Sequence, residues 1–318
     1  MICKKLIIKL ISIVIFLYIF YFIYFNRIII KERNRSIREK ENEEISRINN
    51  YNRLNLEIKN ITIDILIPFA ENQVDKVLES IERWGHPNKL PCDNIYVQDY
   101  FRFSKSNLVF YQNFGINKNN ENKILEKVKN QLWRKCFNKI LFKYANNTIE
   151  EDKYPKGVSK MFYKYFKIVD KSTDYFFWFE SDVNPIKKNW LIEIFRVVVT
   201  TLQARRNQPF YVMGSNHRIP GTRDDQRAFH SMHINGNAIY YSKEWYKNLL
   251  FKIENWDKGF GVFDLDIFYY LTESENWGEV AKILQEFIHY EIIQNLGHRE
   301  YNAEEFSKEN PRTYLVHS

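Results

Sequence analysis

Tyr175-Phe176-Phe177-Trp178-Phe179-Glu180-Ser181-Asp182-Val183-Asn184-Pro185 is the stretch on which the fold turns. Five consecutive aromatic residues leave no polar face, which predicts a strand buried on both sides, as in the interior of an α/β sheet. The run stops at two carboxylates. Side chains alternate along a strand, so Glu180 and Asp182, two apart, are expected to point the same way from its carboxyl end, where open α/β sheets place their ligands. Asn184-Pro185 is expected to end the strand and leave the pair on the lip of a loop. Converging carboxylates repel one another unless a cation lies between them, and a hard divalent ion suits oxygen ligands. The plainer alternative is a solvated turn carrying two acids. Against it stands the cost of placing acids beside so apolar a strand without partners.

Far upstream, residues 1–5 form a short tail, and Leu6 to Phe25 is an almost continuous apolar run interrupted only by Lys9 and Ser12. About 20 such residues suffice to cross a bilayer, and Lys9 lies close enough to the end to snorkel. A single transmembrane anchor at 6–25 is expected. A cleaved signal peptide is the rival, but no small-x-small cleavage site follows. The run has no polar face, unlike the helices that border a soluble core. Lys4, Lys5 and Lys9 precede or enter it, whereas Arg27, Lys31, Arg33, Arg35, Arg38 and Lys40 follow. Counted alone, those charges place the bulk of the chain in the cytosol. Residues 26–60 read as a charged stem.

The remaining residues, 61–318, are enough for one substantial core. A net charge of +8 permits attraction to phosphates or anionic lipid. Lys and Arg are interspersed with acids and no nucleic-acid-binding motif accompanies them, so no nucleic-acid partner is expected. Three cysteines, Cys3, Cys92 and Cys136, exclude a disulfide framework and a close-spaced zinc set. Either one Cys92–Cys136 bridge or buried free thiols satisfies that count. Asn34-Arg-Ser, Asn60-Ile-Thr and Asn146-Asn-Thr match the glycosylation acceptor pattern, although a chain rich in Asn produces such matches by chance.

Ile61 to Ala70 reads as the opening strand and Gln73 to Trp84, with Val74, Val77, Leu78 and Ile81 at helical spacing, as the helix behind it. Further strands are expected at Asn94 to Gln98 and around Leu108 to Tyr111. Asn122 to Tyr144 and Ser159 to Val169 carry amphipathic helical patterns, and Trp190 to about Arg205 another. Strand, helix, strand in that rhythm predicts βαβ units and a mostly parallel sheet. Pro209 to Ser215 is a short strand with Gly214 at its exit. His230-Ser-Met-His233-Ile-Asn235-Gly236-Asn237 then runs into a strand ending at Tyr241, with Gly236 expected to allow dihedrals closed to other residues. That loop either grips a polyhydroxylated ligand or is a hairpin turn whose His and Asn satisfy the backbone. A short helix is expected from Ser242 to Phe251. Asp264 and Asp266, each flanked by apolar residues, are either helix-start caps or reactive carboxylates with perturbed pKa values. Thr313 to Ser318 is a small strand delivering His317.

Together these pieces resemble a glycosyltransferase of the GT-A type, a nucleotide-diphospho-sugar transferase. The residues that carry the resemblance are Ile65-Leu-Ile-Pro68-Phe69, Trp178-Phe-Glu180-Ser-Asp182 with Pro185 and Trp190-Leu191, and Gly214-Ser215. To these are added His233-Ile-Asn235-Gly236-Asn237-Ala-Ile-Tyr240, Phe263-Asp264-Leu-Asp266 and Val316-His317. The resemblance covers about 61–318. It implies an α/β, Rossmann-like GT-A fold with a mostly parallel central sheet, its nucleotide-sugar half at 61–182 and its acceptor half at 183–318. It further implies that Glu180, Asp182 and His317 hold Mn²⁺ or Mg²⁺ against the donor diphosphate, with Glu-x-Asp standing where Asp-x-Asp is commoner. Pro68, Phe69 and Ala70 would lie near the nucleotide base. His233, Asn235, Gly236, Asn237 and Gly214 would line the sugar or acceptor side. An inverting enzyme needs a base for the acceptor hydroxyl, and Asp264 or Asp266 lies where the family places it; a retaining enzyme needs none. The implied partners are a nucleotide sugar donor, a glycan or glycoprotein acceptor and, through the N-terminal helix, a membrane. The family's layout of tail, membrane helix and stem hangs the catalytic domain in the Golgi or ER lumen, and this layout is preferred to the charge count.

Three other functions compete. A metal-dependent hydrolase using Glu180, Asp182 and a His would want more ligands than the sequence clusters. A nucleotidyltransferase would want a Gly-rich basic loop where Phe69-Ala-Glu-Asn-Gln stands. A membrane-anchored binding protein that kept the fold and lost turnover satisfies the same motifs.

Overall fold

The computed structural model describes residues 61–93, 105–216, 232–297 and 299–318. The apolar run at 6–25, the stem at 26–60 and the strand expected at Asn94 to Gln98 lie outside the described residues. Among those described, no helix is long and apolar enough to cross a membrane.

The described residues open with β1 (Ile63–Phe69), buried throughout, and α1 (Val74–Arg83), which turns Val74, Val77 and Ile81 inward. Next come β2 (Asn107–Gln112), α2 (Lys118–Lys129), β3 (Lys139–Tyr144), α3 (Lys156–Ile168) and β4 (Tyr175–Trp178). β5 (Val183–Pro185), α4 (Trp190–Ala204), β6 (Val212–Gly214), β7 (Ile239–Tyr241), α5 (Glu244–Glu254) and α6 (Phe263–Thr272) follow. The chain closes with β8 (Phe287–His289), β9 (Ile293–Asn295), α7 (Ala303–Glu309) and β10 (Leu315–His317).

Among the described residues, seven strands form one sheet in the order β3-β2-β1-β4-β7-β6-β8, and β5-β10-β9 form a small second sheet. β3, β2, β1 and β4 are parallel, as are β6 and β8; β7 runs against both of its neighbours. The mostly parallel α/β sheet read from the sequence is present, and it runs unbroken through the expected 61–182 and 183–318 halves by way of the β4–β7 pair.

The aromatic run takes the centre because both faces of β4 are covered. Phe176 and Trp178 pack toward Phe162, Tyr165 and Phe166 of α3, while Phe179 meets Trp84 and Trp190 on the opposite side. Phe162 stacks on Phe263 of α6 with centroids 3.9 Å apart, locking α3 and α6 together beneath the sheet's carboxyl edge.

Two expectations are corrected. The helix expected from Asn122 to Tyr144 stops at Lys129. A 3-10 turn, Leu132–Cys136, then leads into β3. Helical spacing of Trp133, Cys136, Phe137, Ile140, Leu141 and Tyr144 suggested the longer helix, but the open edge of β2 takes 139–144 as a parallel partner. Second, Asn184-Pro185 does not end the extended chain. It lies in β5, an edge strand, where a missing N–H costs no ladder bond. Cys92 and Cys136 form a disulfide with Cα atoms 5.8 Å apart, which decides between the two readings of those cysteines.

Candidate functional site

β4 ends at Trp178, so Glu180 and Asp182 do not converge by strand alternation. They sit on a turn that Val183 N–H closes by donating to the Glu180 carbonyl at 3.0 Å. Three contacts fix that turn. Phe179 N–H donates to Leu66 O of β1 at 2.8 Å, and Ser80 of α1 donates its hydroxyl to Ser181 O. Asn237, fully buried beside β7, accepts from Glu180 N–H at 3.0 Å and donates Nδ2–H to Glu180 Oε2 at 2.9 Å.

The third member arrives from the end of the chain. β10 pairs antiparallel with β5, setting His317 opposite Val183, and this register carries the imidazole to the acidic turn. His317 Nε2 lies 3.4 Å from Glu180 Oε2 and 3.4 Å from Asp182 Oδ2. One ligand atom from each of the three residues falls within 4.8 Å of the others. The other ring nitrogen is 3.1 Å from Asn295 Oδ1. Asn295 Nδ2 donates to Ser215 O at 3.3 Å and to Ser215 Oγ at 3.0 Å. A carbonyl oxygen only accepts, so the amide is oriented with Oδ1 toward the imidazole. Nδ1–H therefore donates, and Nε2 faces the carboxylates with a lone pair when the ring is neutral.

Burial pushes the Glu180 carboxyl above the usual range; Asp182 and Asp264 add to this, and His317 and Asn237 only partly offset it. Burial also works against the charged form of Asp182, but His317 outweighs it and holds that carboxyl low. For His317, burial disfavours the cation, yet the hydrogen bond it donates to Asp182 and the charges of Glu180 and Asp182 raise its pKa overall. Two carboxylate oxygens and an outward imidazole nitrogen, the latter fixed by a neighbour's amide, make a donor set that fits a divalent ion such as Mn²⁺ or Mg²⁺.

The loop before β7 braces this cluster. Asn235 N–H donates to Ser215 O at 3.0 Å, and Asn235 Oδ1 accepts from Asn237 N–H at 3.1 Å. Gly236 N–H donates to Asp264 Oδ2 at 2.9 Å, and His233 Nε2 lies 3.4 Å from the same oxygen. Asp264 is therefore joined to Glu180 through two adjacent residues, Gly236 and Asn237. The expectation that Gly236 adopts dihedrals closed to other residues is corrected, because its φ is not in the left-handed region. Its hydrogen is required by space, because an added Cβ would sit 2.8 Å from Phe263 Cζ. Gly214 is likewise a packing glycine, with Ala238 Cβ 2.7 Å from its ideal Cβ.

Asp266 faces elsewhere. Buried, with its carboxyl raised by that burial, it accepts from Phe260 N–H and from Gly261 N–H at 3.1 Å and so pins the turn before α6. Pro68 and Phe69 form the carboxyl end of β1, paired there with Tyr111 and Gln112 of β2, and Ala70 follows directly. Phe69 is 3 % exposed, so its ring belongs to the core and this corner presents mainly backbone. Sequence reasoning missed Asn295 and Ser80, and took Ser215 only as part of the Gly214-Ser215 pair with no role of its own. Each acts by orienting another residue, and no local motif marks that role.

No protein-family model matches the chain, and no curated protein matches it. Among solved structures, mouse xyloside xylosyltransferase 1 in its apo form is similar over 81 % of this chain and 98 % of its own, at 10 % identity and a TM-score of 0.46. Galactosyltransferase LgtC, solved with donor and acceptor sugar analogues, covers 80 % of this chain and 86 % of its own, at 10 % identity and a TM-score of 0.38. The mannosyltransferase Ktr4p from S. cerevisiae covers 64 % and 62 %, at 10 % identity and a TM-score of 0.39.

Proposed function

We propose that the protein is a metal-dependent glycosyltransferase that moves a sugar from a nucleotide-diphosphate sugar to a hydroxyl of a glycan or glycoprotein. The observation that carries this reading is the convergence of Glu180, Asp182 and His317 within 4.8 Å at the carboxyl edge of a mostly parallel sheet, with Asp264 tied to the same cluster. Those three residues would hold Mn²⁺ or Mg²⁺. When bound, the ion neutralises the charge that develops on a departing diphosphate.

The chain's own groups do the rest. As the bond from the sugar's anomeric carbon to the diphosphate oxygen breaks and the bond to the acceptor oxygen forms, the acceptor's proton passes to Asp264. The Gly236 N–H and His233 hold that carboxylate in place. Asp264 is preferred to Asp266 as the base because Gly236 and Asn237 join it to Glu180, whereas Asp266 pins the turn before α6. The nucleotide is assigned to the end of β1 around Pro68, Phe69 and Ala70.

Residues 6–25 are proposed as a single-pass type II anchor, with 61–318 in the lumen of the Golgi or ER. The Cys92–Cys136 bridge supports an oxidising compartment. The basic residues of the stem are mixed with acids, and large domains translocate despite such charges.

The test uses the full chain in detergent, with the common nucleotide sugars and either Mn²⁺ or a chelator. Nucleoside diphosphate release that requires the ion, for one donor class, is the expected result. No release with any donor in Mn²⁺ or Mg²⁺ would remove the reading.

A further inference from the structure

A second cavity, of about 310 Å³, opens beside Asp264 between α6 and the strands β6 and β8. Its walls are Val212, Ile234, Ile267, Leu271 and Phe287, and Asp264 forms one end. Besides Asp264, three polar residues line it: His289, Tyr240, whose O–H donates to Gly236 O at 2.8 Å, and Thr272, whose Oγ1–H donates to Phe268 O at 3.0 Å. A sugar ring placed here would bury several hydroxyls against a mostly apolar wall with only Asp264 and His289 to meet them, at a cost of roughly 1–3 kcal/mol for each one left unpaired. An apolar group loses nothing by entering. The volume is about twice that of a dry cavity known to hold benzene. Met232, 56 % exposed, adds a deformable apolar rim.

We propose that this cavity is the acceptor's aglycone subsite. It takes an aryl or alkyl substituent attached close to the hydroxyl that reacts at Asp264, so that the acceptor is an apolar-substituted glycoside rather than a bare sugar. The inference rests on the glycosyltransferase reading for the identity of the hydroxyl, and on the cavity alone for the apolar occupant. Leu284 and Thr272 line the cavity at its solvent side, where Leu284 is 38 % exposed, so bulk can be added there without opening the core.

The experiment pairs methyl and 2-naphthyl β-glycosides of the common monosaccharides with the full chain in detergent. Direct binding is read by naphthyl fluorescence polarisation, and transfer by product formation with each donor that the enzyme cleaves. We expect naphthyl glycosides to bind and to show a KM at least about tenfold below that of their methyl counterparts, as burial of one aromatic ring predicts. Leu284→Trp and Thr272→Phe, made separately, should each reduce that preference to less than about threefold. Equal KM values for methyl and naphthyl acceptors in the wild-type protein, or a preference unchanged in both folded variants, would overturn the proposal. Naphthyl binding that is lost in the variants, with no donor cleaved by the wild-type protein, would keep the cavity and discard the transferase. Donor cleavage and transfer without naphthyl preference would do the reverse.

Discussion

Asn237 and Glu180 hold each other at two points: the amide oxygen of Asn237 accepts from Glu180 N–H at 3.0 Å, and its nitrogen donates to Glu180 Oε2 at 2.9 Å. One buried side chain thus sets both the backbone of the acidic turn and the orientation of a carboxylate. Asn237→Ala leaves the Glu180 N–H without its acceptor and Glu180 Oε2 without its amide donor. It should cost about 1–3 kcal/mol of stability and lower metal-dependent turnover by about tenfold or more, as loss of a group that orients a ligand does. Thermal melting and nucleoside diphosphate release check both effects, and wild-type values in both would show that the turn does not depend on Asn237.

Divalent ion binding needs Glu180 ionised and His317 neutral, and both keep their protons to higher pH in the folded protein than in the unfolded chain. Affinity for Mn²⁺ should therefore rise as pH increases through their folded values. Without metal, the contacts of protonated His317 contribute stability that is fully present below the unfolded His value of about 6.5 and is lost as pH rises through the higher folded value. The raised Glu180 carboxyl works in the same direction. Calorimetric titration at pH 6 and pH 8, beside melting of the chelated protein, reads both trends. His317→Gln should flatten both; steep trends in that variant would assign the protons to other groups.

Asp264 and Asp266 are two residues apart and should fail differently. Asp264→Asn should lower transfer to an acceptor by about 10²–10⁴-fold while nucleoside diphosphate release still depends on Mn²⁺. Asp266→Asn exchanges one accepting oxygen for a donor in a turn that presents N–H groups. It should cost about 1–3 kcal/mol of stability and leave the acceptor KM near wild type. The opposite pattern would move the base to Asp266.

Much of this was legible in the sequence. The run Tyr175–Trp178 is apolar at every position, so only a strand covered on both faces satisfies it, and β4 is such a strand. The acids after it were recognised as a pair, though they meet through a turn and not a pleat. Lys139–Tyr144 was misread because its apolar residues fit a helical period, and only the open edge of β2 decides against a helix. Asn295, and the part Ser215 plays beside it, were invisible for a different reason. Their value lies in the β9–β10 register and in a contact across 80 residues of chain, which no local pattern encodes.

The Cys92–Cys136 bridge and Asn146 bear on location together. Asn146 and Thr148 of the acceptor pattern are both exposed just after β3. A luminal domain should therefore carry a glycan on Asn146 when the full chain is made in a eukaryotic cell. Endoglycosidase treatment should shift its mobility, and Asn146→Gln should reduce the shift. Cys136→Ser should cost about 2–4 kcal/mol. Free thiols and no glycan in that cell would place the domain in the cytosol.

Mn²⁺ binding by the full chain, followed by electron paramagnetic resonance of the free ion alongside nucleoside diphosphate release, tests the metal centre most directly. Glu180→Ala and Asp182→Ala should each weaken Mn²⁺ binding on the order of 100-fold or more and abolish metal-dependent release, with unaltered far-ultraviolet circular dichroism. Wild-type Mn²⁺ affinity and release in both variants would contradict it.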